Sequence, residues 1–557
     1  MSKDNINLDR ILVEEVGWGK FQIKVLVLCT IVASMAGLQM YSYLFTLTKS
    51  RTSDSRCLIP ECEDTTAPDV FSPPWILEAV PRSGDSFDNC HRFPPIRVNT
   101  SVSVSCVETL FDKNASVQCQ EYVYEQKNSA YFEFNLACDD LRPYLVGSAR
   151  ILGLMISLPI KGFVADRWGR RLALALTAFN LAWTGTLTCV ADSYTSYTLL
   201  SFVEYLLGSC SFTCAYILAM EYARSKYRVV TGVTISTCAA VGEIILGLIA
   251  WTEPYWRHLI LMIYVPQLLF IIYFWIAPES IRWLMSKGRY DESLVILKKA
   301  AEMNGSSISE NTMKLFSETK KDILEKKEKH SSEPWLVCLV FKHKPILLRC
   351  LVTPMWWITA SLMHYGLTIS AVGISGNKYL NFIAAVAIQI PGDWLSVLLM
   401  DRIGRKALVM AGFWISGACQ FAFIFTSSRN YWLSLSVYLI GKMCISCVAT
   451  SLYVYTAEMY PTRYRVSFLA YSSLMGKVGS IVAPLMPGLG AHTWEHLPFL
   501  IFGVMALVSG LLVLLAPETL GATLPDTMEQ ASQLGKDSSV LRCLRTLVFR
   551  SKVYSIS

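Results

Sequence analysis

Six ionisable residues lie inside long apolar stretches of this 557-residue sequence: Arg150, Glu204, Glu243, Asp393, Lys442 and Lys477. Hydrocarbon opposes a buried charge strongly, so such residues are kept for a partner, a substrate or a travelling ion. Their mixed signs define the chemistry on offer. A lysine ammonium can hold a carboxylate, and a carboxylate can hold an ammonium, through charge-assisted hydrogen bonds. Catalytic patterns are missing. The sequence has no GxSxG elbow, no HExxH and no GxxxxGK[ST] loop, and its seven histidines are scattered. This argues against an enzyme, a nucleotide-driven pump and any metal or cofactor site. Nothing in the sequence calls for nucleic acid.

The elements that position these charges are membrane spans. Hydrophobic residues make up 53% of the chain and mean hydropathy is +0.39, too apolar for a soluble protein of this length. A bilayer core of about 30 Å takes roughly 20 apolar residues per helix. Twelve such stretches are expected at about 23–44, 143–163, 172–192, 197–218, 231–251, 256–277, 346–370, 379–400, 407–426, 431–451, 466–489 and 497–516. The fold expected is therefore an all-α polytopic membrane protein with twelve transmembrane helices in two six-helix pseudo-repeats. Residues 1–22 form a cytosolic N-terminus, with no cleavable signal evident. Residues 23–277 make the first half, 278–345 a cytosolic central loop with short amphipathic helices, 346–516 the second half and 517–557 a cytosolic tail. At about 1.5 Å per residue, Glu243, Asp393, Lys442 and Lys477 fall roughly 12 to 18 Å deep, near the midplane.

Within the first half, the polar block 45–141 carries Cys57, Cys62, Cys90, Cys106, Cys119 and Cys138, with sequons at Asn99 and Asn114. An even cysteine count in such a loop reads as a disulfide framework on an oxidising side. No CxxC pair supports zinc. Sequence alone assigns no pairing. The block has a net charge of −7, while the short loops after spans 2 and 4 are Arg-rich, placing the block outside and both termini in the cytosol. The sequon at Asn304 then faces the cytosol and escapes glycosylation.

One pattern is written twice. Asp166-Arg167-Trp168-Gly169-Arg170-Arg171 joins spans 2 and 3, and Asp401-Arg402-Ile403-Gly404-Arg405-Lys406 joins spans 8 and 9. Span 4 ends with Glu221, Arg224 and Arg228, and span 10 with Glu458, Arg463 and Arg465. Charged loops repeated at equivalent places suit a carrier whose halves rock about a central site. Ion pairs made in one state and broken in another would form a gating latch.

Together these stretches resemble the major facilitator superfamily. "PESIRWLMSKGR", "YTAEMYPTRYR", "PETLGATLPDTMEQ" and the six-cysteine loop before "FNLACDD" resemble its organic cation, organic anion and carnitine transporter family, in an insect-like member. The resemblance implies a plasma-membrane carrier of the major facilitator fold, working by alternating access. It implies a central site with Phe212, His364, Tyr365 and Tyr453 as aromatic walls and Gln389 and Lys477 at charge-selecting positions. A basic residue at 477 is similar to the anion and carnitine carriers, whereas Gln389 stands where cation carriers often have an acid. Asp393 supplies an acid one turn on, so a zwitterion could satisfy Lys477 with its carboxylate and Asp393 or Glu243 with its ammonium. Two positions depart from the family: Ser201 stands where span 4 usually carries Arg, and Val397 is the counterpart of Gly162.

The expected function is transport of small organic amines or zwitterions, carnitine-like or amino-acid-like, across a lipid bilayer. An organic cation or organic anion carrier of the same family is the first alternative, and a non-transporting receptor on a carrier fold is the second. Uniport and coupling to sodium or protons remain open. Lys442 and Lys477 could instead serve as ion-paired glue between helices.

Overall fold

The structure is a computed structural model. It describes residues 8–47, 55–63, 71–83, 86–96, 110–125, 128–139, 141–224, 227–325, 336–426, 430–522 and 524–534. Asn99 and Cys106 lie outside them. Eleven helices among these residues are long and apolar enough to cross a membrane: span 1 Lys20–Thr46, span 2 Arg142–Trp168, span 3 Arg170–Val190, span 4 Tyr194–Tyr222, span 5 Arg228–Thr252, span 6 Trp256–Ile276, span 7 Lys344–Gly373, span 8 Lys378–Ile403, span 9 Arg405–Thr426, span 10 Tyr431–Met459 and span 11 Arg465–His492. Span 12, Leu497–Val513, has 17 residues, about 26 Å of helix and enough for a thin crossing. The chain is a multi-pass membrane protein. Below, the end of the bundle bearing the cysteine block is the loop end, and the opposite one the terminal end.

Small residues let the spans of each half approach closely, the usual device where lipid removes the hydrophobic drive between helices. Gly37 of span 1 lies against the Ala239 carbonyl, and Gly242 of span 5 against the Ser34 carbonyl, so close that neither site has room for a Cβ. The second half repeats this crossing between spans 7 and 11, where Gly479 lies on the Ile358 carbonyl. Several spans are interrupted. Span 4 breaks at Ser209–Cys210, span 8 at Ile388, and span 11 at Ala483–Pro484. In span 8 Pro391 removes one backbone donor just after the break, and Gln389 and Asp393 occupy the first turns that follow.

The cysteine block adds short strands to the helical fold. Its described residues hold three two-stranded antiparallel ladders, the longest pairing Ser55–Cys57 with Tyr122–Tyr124. Cys57 bonds to Cys119 and Cys90 to Cys138, and Cys62 is also disulfide-bonded. Ile59, Ile76, Val80 and Phe111 fill a small core around Cys57 and Cys119. Asn114 sits in an exposed turn. The block is fastened to the first half by Glu133, which pairs with Arg257 at 2.6 Å and accepts from the Trp256 indole at 2.8 Å.

At the terminal end a helix absent from the expected span list, Leu8–Glu14, docks on the first half. Asp9 pairs with Arg228 at 3.0 Å and Arg282 at 2.6 Å. Asn304 closes the clamp: its carboxamide nitrogen donates to Val16 O and Gln22 Oε1, and its oxygen accepts from the Phe21 amide at 3.0 Å. The central block forms the helices Ile281–Ser286, Tyr290–Asn304, Glu310–Glu325 and Leu336–Lys342.

Candidate functional site

Each half carries the same charged cluster at its terminal end. Arg170 pairs with Asp166 at 2.8 Å and Glu221 at 3.5 Å, and its guanidinium caps span 2 at Ala165 O. Arg405 pairs with Asp401 and Glu458, both at 3.1 Å, and caps span 8 at Met400 O. Two further carboxylates complete the clusters, Glu279 and Glu518. Glu279 accepts from the backbone amides of Arg170 and Arg171, and Glu518 from those of Arg405 and Lys406. Both carboxylates therefore sit on orphan amides at helix N-termini. Gly169 and Gly404 adopt φ of 105° and 104°, and a Cβ on Gly404 would lie 2.6 Å from Glu518 Oε2.

Glu279 and Glu518 were not among the residues expected from sequence, although "PES" after span 6 and "PET" after span 12 are themselves a repeat. Of the expected latch residues, Arg167 and Arg402 point outward and are exposed. Arg171 lies over the Phe274 ring at 5.0 Å, and Arg463 over Tyr464 at 5.7 Å. Arg224 is engaged elsewhere, donating to Val13 O in the N-terminal segment. The ion pairs of Arg170 and Arg405 with described residues stay within one half.

Deeper in the first half, Arg150 and Glu204 pair at 2.9 Å, with side-chain exposures of 3% and 2%. Arg150 also donates to Ser42 Oγ, Gln39 O and Tyr264 OH, and lies over the Tyr205 ring at 4.4 Å. Tyr264 in turn donates to Glu204 at 2.6 Å. Ser201 is buried one turn before Glu204, so the guanidinium at this place comes from span 2 rather than span 4. Two buried cations within the spans escaped the sequence reading. Lys161 of span 2 has no hydrogen-bond partner among the described residues, and Arg349 of span 7 binds the Met459, Ala531 and Leu534 carbonyls. Both lie close to the ends of their apolar stretches, where a basic residue reads as an anchor.

Spans 5, 8, 10 and 11 carry the remaining four charges well inside their length. Lys442 of span 10 is fully buried and donates to His364 O at 2.7 Å and Thr368 Oγ1 at 2.8 Å. Asp393 of span 8 accepts from Thr450 at 2.7 Å. Glu243 of span 5 is buried, and its Oε2 has no hydrogen-bond partner among the described residues. Lys442 lies within electrostatic reach of both carboxylates, yet makes no ion pair with either. Gln389 Oε1 and His364 Nδ1 are also buried without a partner. Lys477 is half-buried on span 11, near His364 and Tyr453, and makes no ion pair or hydrogen bond with a described residue.

Of the expected aromatic walls, Tyr365 faces Tyr41 at 6.4 Å and Phe212 neighbours Tyr216 at 6.2 Å. Tyr453 stands edge-on to Trp357 at 4.6 Å. Tyr453 is 51% exposed although it lies inside a span, and Lys477, Tyr365 and Tyr216 are its charged and phenolic neighbours. The structure thus places Lys477 near His364 and Tyr453, and Asp393 and Glu243 near Lys442, with His364 shared by the two lysines.

The halves meet tightly at the loop end. Phe45 of span 1 packs edge-on to Phe382 at 5.0 Å and stacks on Tyr379 at 5.6 Å, both from span 8. Trp251 of span 5 stacks on the other side of this seam at 6.4 Å from Tyr379. Ser148 of span 2 donates to Ile481 O of span 11. A small cavity remains beneath the seam, lined by Tyr41, Tyr43, Arg150, Tyr205, Tyr365 and Ser480. Towards the terminal end the described residues give one hydrogen bond between the halves, Trp394 to Thr237 at 3.1 Å.

Two six-span halves, a duplicated charged turn in each and unpartnered polar groups between them define a secondary membrane carrier. Residues 101–530 match the sequence family described as "Sugar (and other) transporter". The chain is 34% identical over 431 residues to an organic cation transporter protein of Drosophila melanogaster, covering 76% of this chain and 78% of that one. It is 30% identical to human solute carrier family 22 member 2, covering 87% and 88%. The xylose transporter XylE from E. coli, in a partially occluded inward-open conformation, shares the fold with a TM-score of 0.56 at 15% identity, over 90% of this chain and 99% of that one. The chain belongs to the organic cation, organic anion and carnitine transporter family of the major facilitator superfamily, a family of membrane transporters and not of enzymes.

Proposed function

We propose that this protein carries small organic amines or zwitterions across the plasma membrane by alternating access, with the cysteine loop outside and both termini in the cytosol. The observation that carries the proposal is a pair of charges, Asp393 and Lys477, that make no ion pair among the described residues. Asp393 accepts from the Thr450 hydroxyl, and Lys477 has no hydrogen bond to a described residue. A substrate ammonium would pair with Asp393, a substrate carboxylate with Lys477, and Tyr365, Phe212 and Tyr453 would offer aromatic faces to the amine. With the loop end outside, the aromatic seam would shut the external entrance, the arrangement of an inward-facing carrier.

Uptake of labelled carnitine, a quaternary ammonium ion and a dicarboxylate by proteoliposomes, with and without sodium, tests the proposal directly. Removing one partner of a buried charge pair costs about 2 to 5 kcal/mol, or about 30-fold or more in affinity. Lys477→Ala should therefore impair carnitine far more than the quaternary ion, and Asp393→Ala should do the reverse. Equal loss of every substrate in both variants, with transport restored by Lys477→Met plus Asp393→Leu, would show a structural ion pair instead. The names of the relatives support a second reading, a carrier of organic cations alone. In that case Lys477→Ala leaves cation uptake intact and carnitine is never carried.

A further inference from the structure

Span 4 is broken at Ser209–Cys210, and a lysine that takes no part in the central site lies beside the break. The second piece of the span, Ser211–Tyr222, starts at Cys210 with no side chain capping it. The first amides of a helix lack partners within it, and that end of the helix dipole is positive. The Ser209 hydroxyl, at the break itself, is buried and has no hydrogen-bond partner among the described residues.

Span 2 runs past this break in the same direction as span 4. Gly153 lies against the Phe202 carbonyl, and one turn on, Ser157 Oγ is 4.0 Å from Cys210 Sγ. Lys161 follows a further turn along the same face and is 8% exposed. Helical side chains lean towards the helix N-terminus, so its ammonium reaches back towards Cys210. Cys210 and Cys214 are the side chains that act on it electrostatically, and neither is a carboxylate. Its Nζ is shielded from solvent, with no hydrogen-bond partner among the described residues. The acids of this half are already engaged: Arg170, the other cation acting on Cys214, holds Asp166 and Glu221, and Arg150 holds Glu204. A buried ammonium beside the positive end of a helix, with no acid to answer it, is strongly unfavourable. A bound anion relieves both.

We infer that the break in span 4 binds a small monatomic anion, chloride, held by the Lys161 ammonium, the first amides of Ser211–Tyr222 and the Ser209 hydroxyl. Ser157, Cys210 and Cys214 crowd the ammonium, which favours a monatomic ion over a larger oxyanion. Lys161 lies two turns before the end of span 2 at Trp168, about 10 Å from the terminal end, and the ion enters from there. Phe212, an aromatic wall of the proposed cavity, stands in the first turn after the break, so the anion steadies the segment that carries it. Binding of the anion does not depend on which substrate is carried.

Thermal unfolding of the full chain, purified in detergent at constant ionic strength, tests the site with chloride against gluconate. Chloride should raise the midpoint with a saturable dependence; at about 100 times its Kd it multiplies the folding equilibrium about 100-fold. Bromide should replace chloride, and sulfate should not. Lys161→Met keeps the apolar stem and removes the charge, so it should abolish the chloride response and unfold at a higher temperature than the wild type in gluconate. If that variant fails to fold, wild-type crystals soaked in bromide decide, by an anomalous peak beside Lys161 Nζ or by its absence. A wild-type midpoint indifferent to chloride overturns the site. An equal shift with sulfate, or a chloride shift retained in Lys161→Met, marks an adventitious ion only and overturns it too. None of these results touches the carrier function, which uptake by proteoliposomes tests separately.

Discussion

Removing the Arg150 side chain would leave the Glu204 carboxylate buried with Tyr264 as its hydrogen-bond donor. Breaking a buried pair from one side typically costs about 3 to 5 kcal/mol, because the remaining charge stays uncompensated. Arg150→Ala should therefore lower the unfolding midpoint in detergent sharply, while Arg150→Met combined with Glu204→Leu should recover most of it. Equal damage from the double variant would mean that the pair serves transport rather than packing. This pairing could not be read from the sequence, which shows Arg150 and Glu204 as separate intramembrane charges. Their meeting depends on how spans 2 and 4 rotate against each other, and hydropathy does not record rotation. That Glu243, Asp393, Lys442 and Lys477 lie well inside long apolar helices was legible from the sequence. Which neighbours each of them meets was not.

At the scale of an element, the duplicated turn between spans rests on glycine. The backbone at Gly169 has φ 105° and ψ 159°, and at Gly404 φ 104° and ψ 154°, a region essentially confined to glycine and costing about 1 to 3 kcal/mol elsewhere. Gly169→Ala or Gly404→Ala should destabilise by at least that much, since the Glu279 or Glu518 carboxylate also fills the space of the new methyl. Asp166 is different. Its side chain is 71% exposed and its partner is four residues away, a geometry worth at most about 0.5 kcal/mol. Asp166→Asn and Asp401→Asn should thus leave stability unchanged, and slowed turnover at matched abundance would expose a gating role; a normal maximal rate in both removes it. The twelve spans and the repeat were legible because each leaves a long apolar run or a repeated string. Glu279 was harder to place, since it meets Arg170 only across 109 positions of chain. The ladders of the cysteine loop, two or three residues each, are too short to show alternation.

For the whole molecule, the seam of Phe45, Tyr379, Phe382 and Trp251 holds the loop end shut. Phe45→Ala deletes two ring pairs, worth about 1 to 3 kcal/mol together, and should shift the carrier towards its outward-facing state. Ser480→Cys, placed in the cavity beneath the seam, should then react faster with an external, membrane-impermeant thiol reagent than in a background with Phe45 intact. No change in that rate would mean that other contacts set the closure. Asn304 ties this architecture to time. Its carboxamide holds the Phe21 amide from 283 positions away, so the start of span 1 lacks its partner until six spans have left the ribosome. Docking of the N-terminal helix is accordingly a late event in biogenesis. Nascent chains arrested before residue 304 should expose residues 8–16 to protease, and chains arrested well beyond it should protect them.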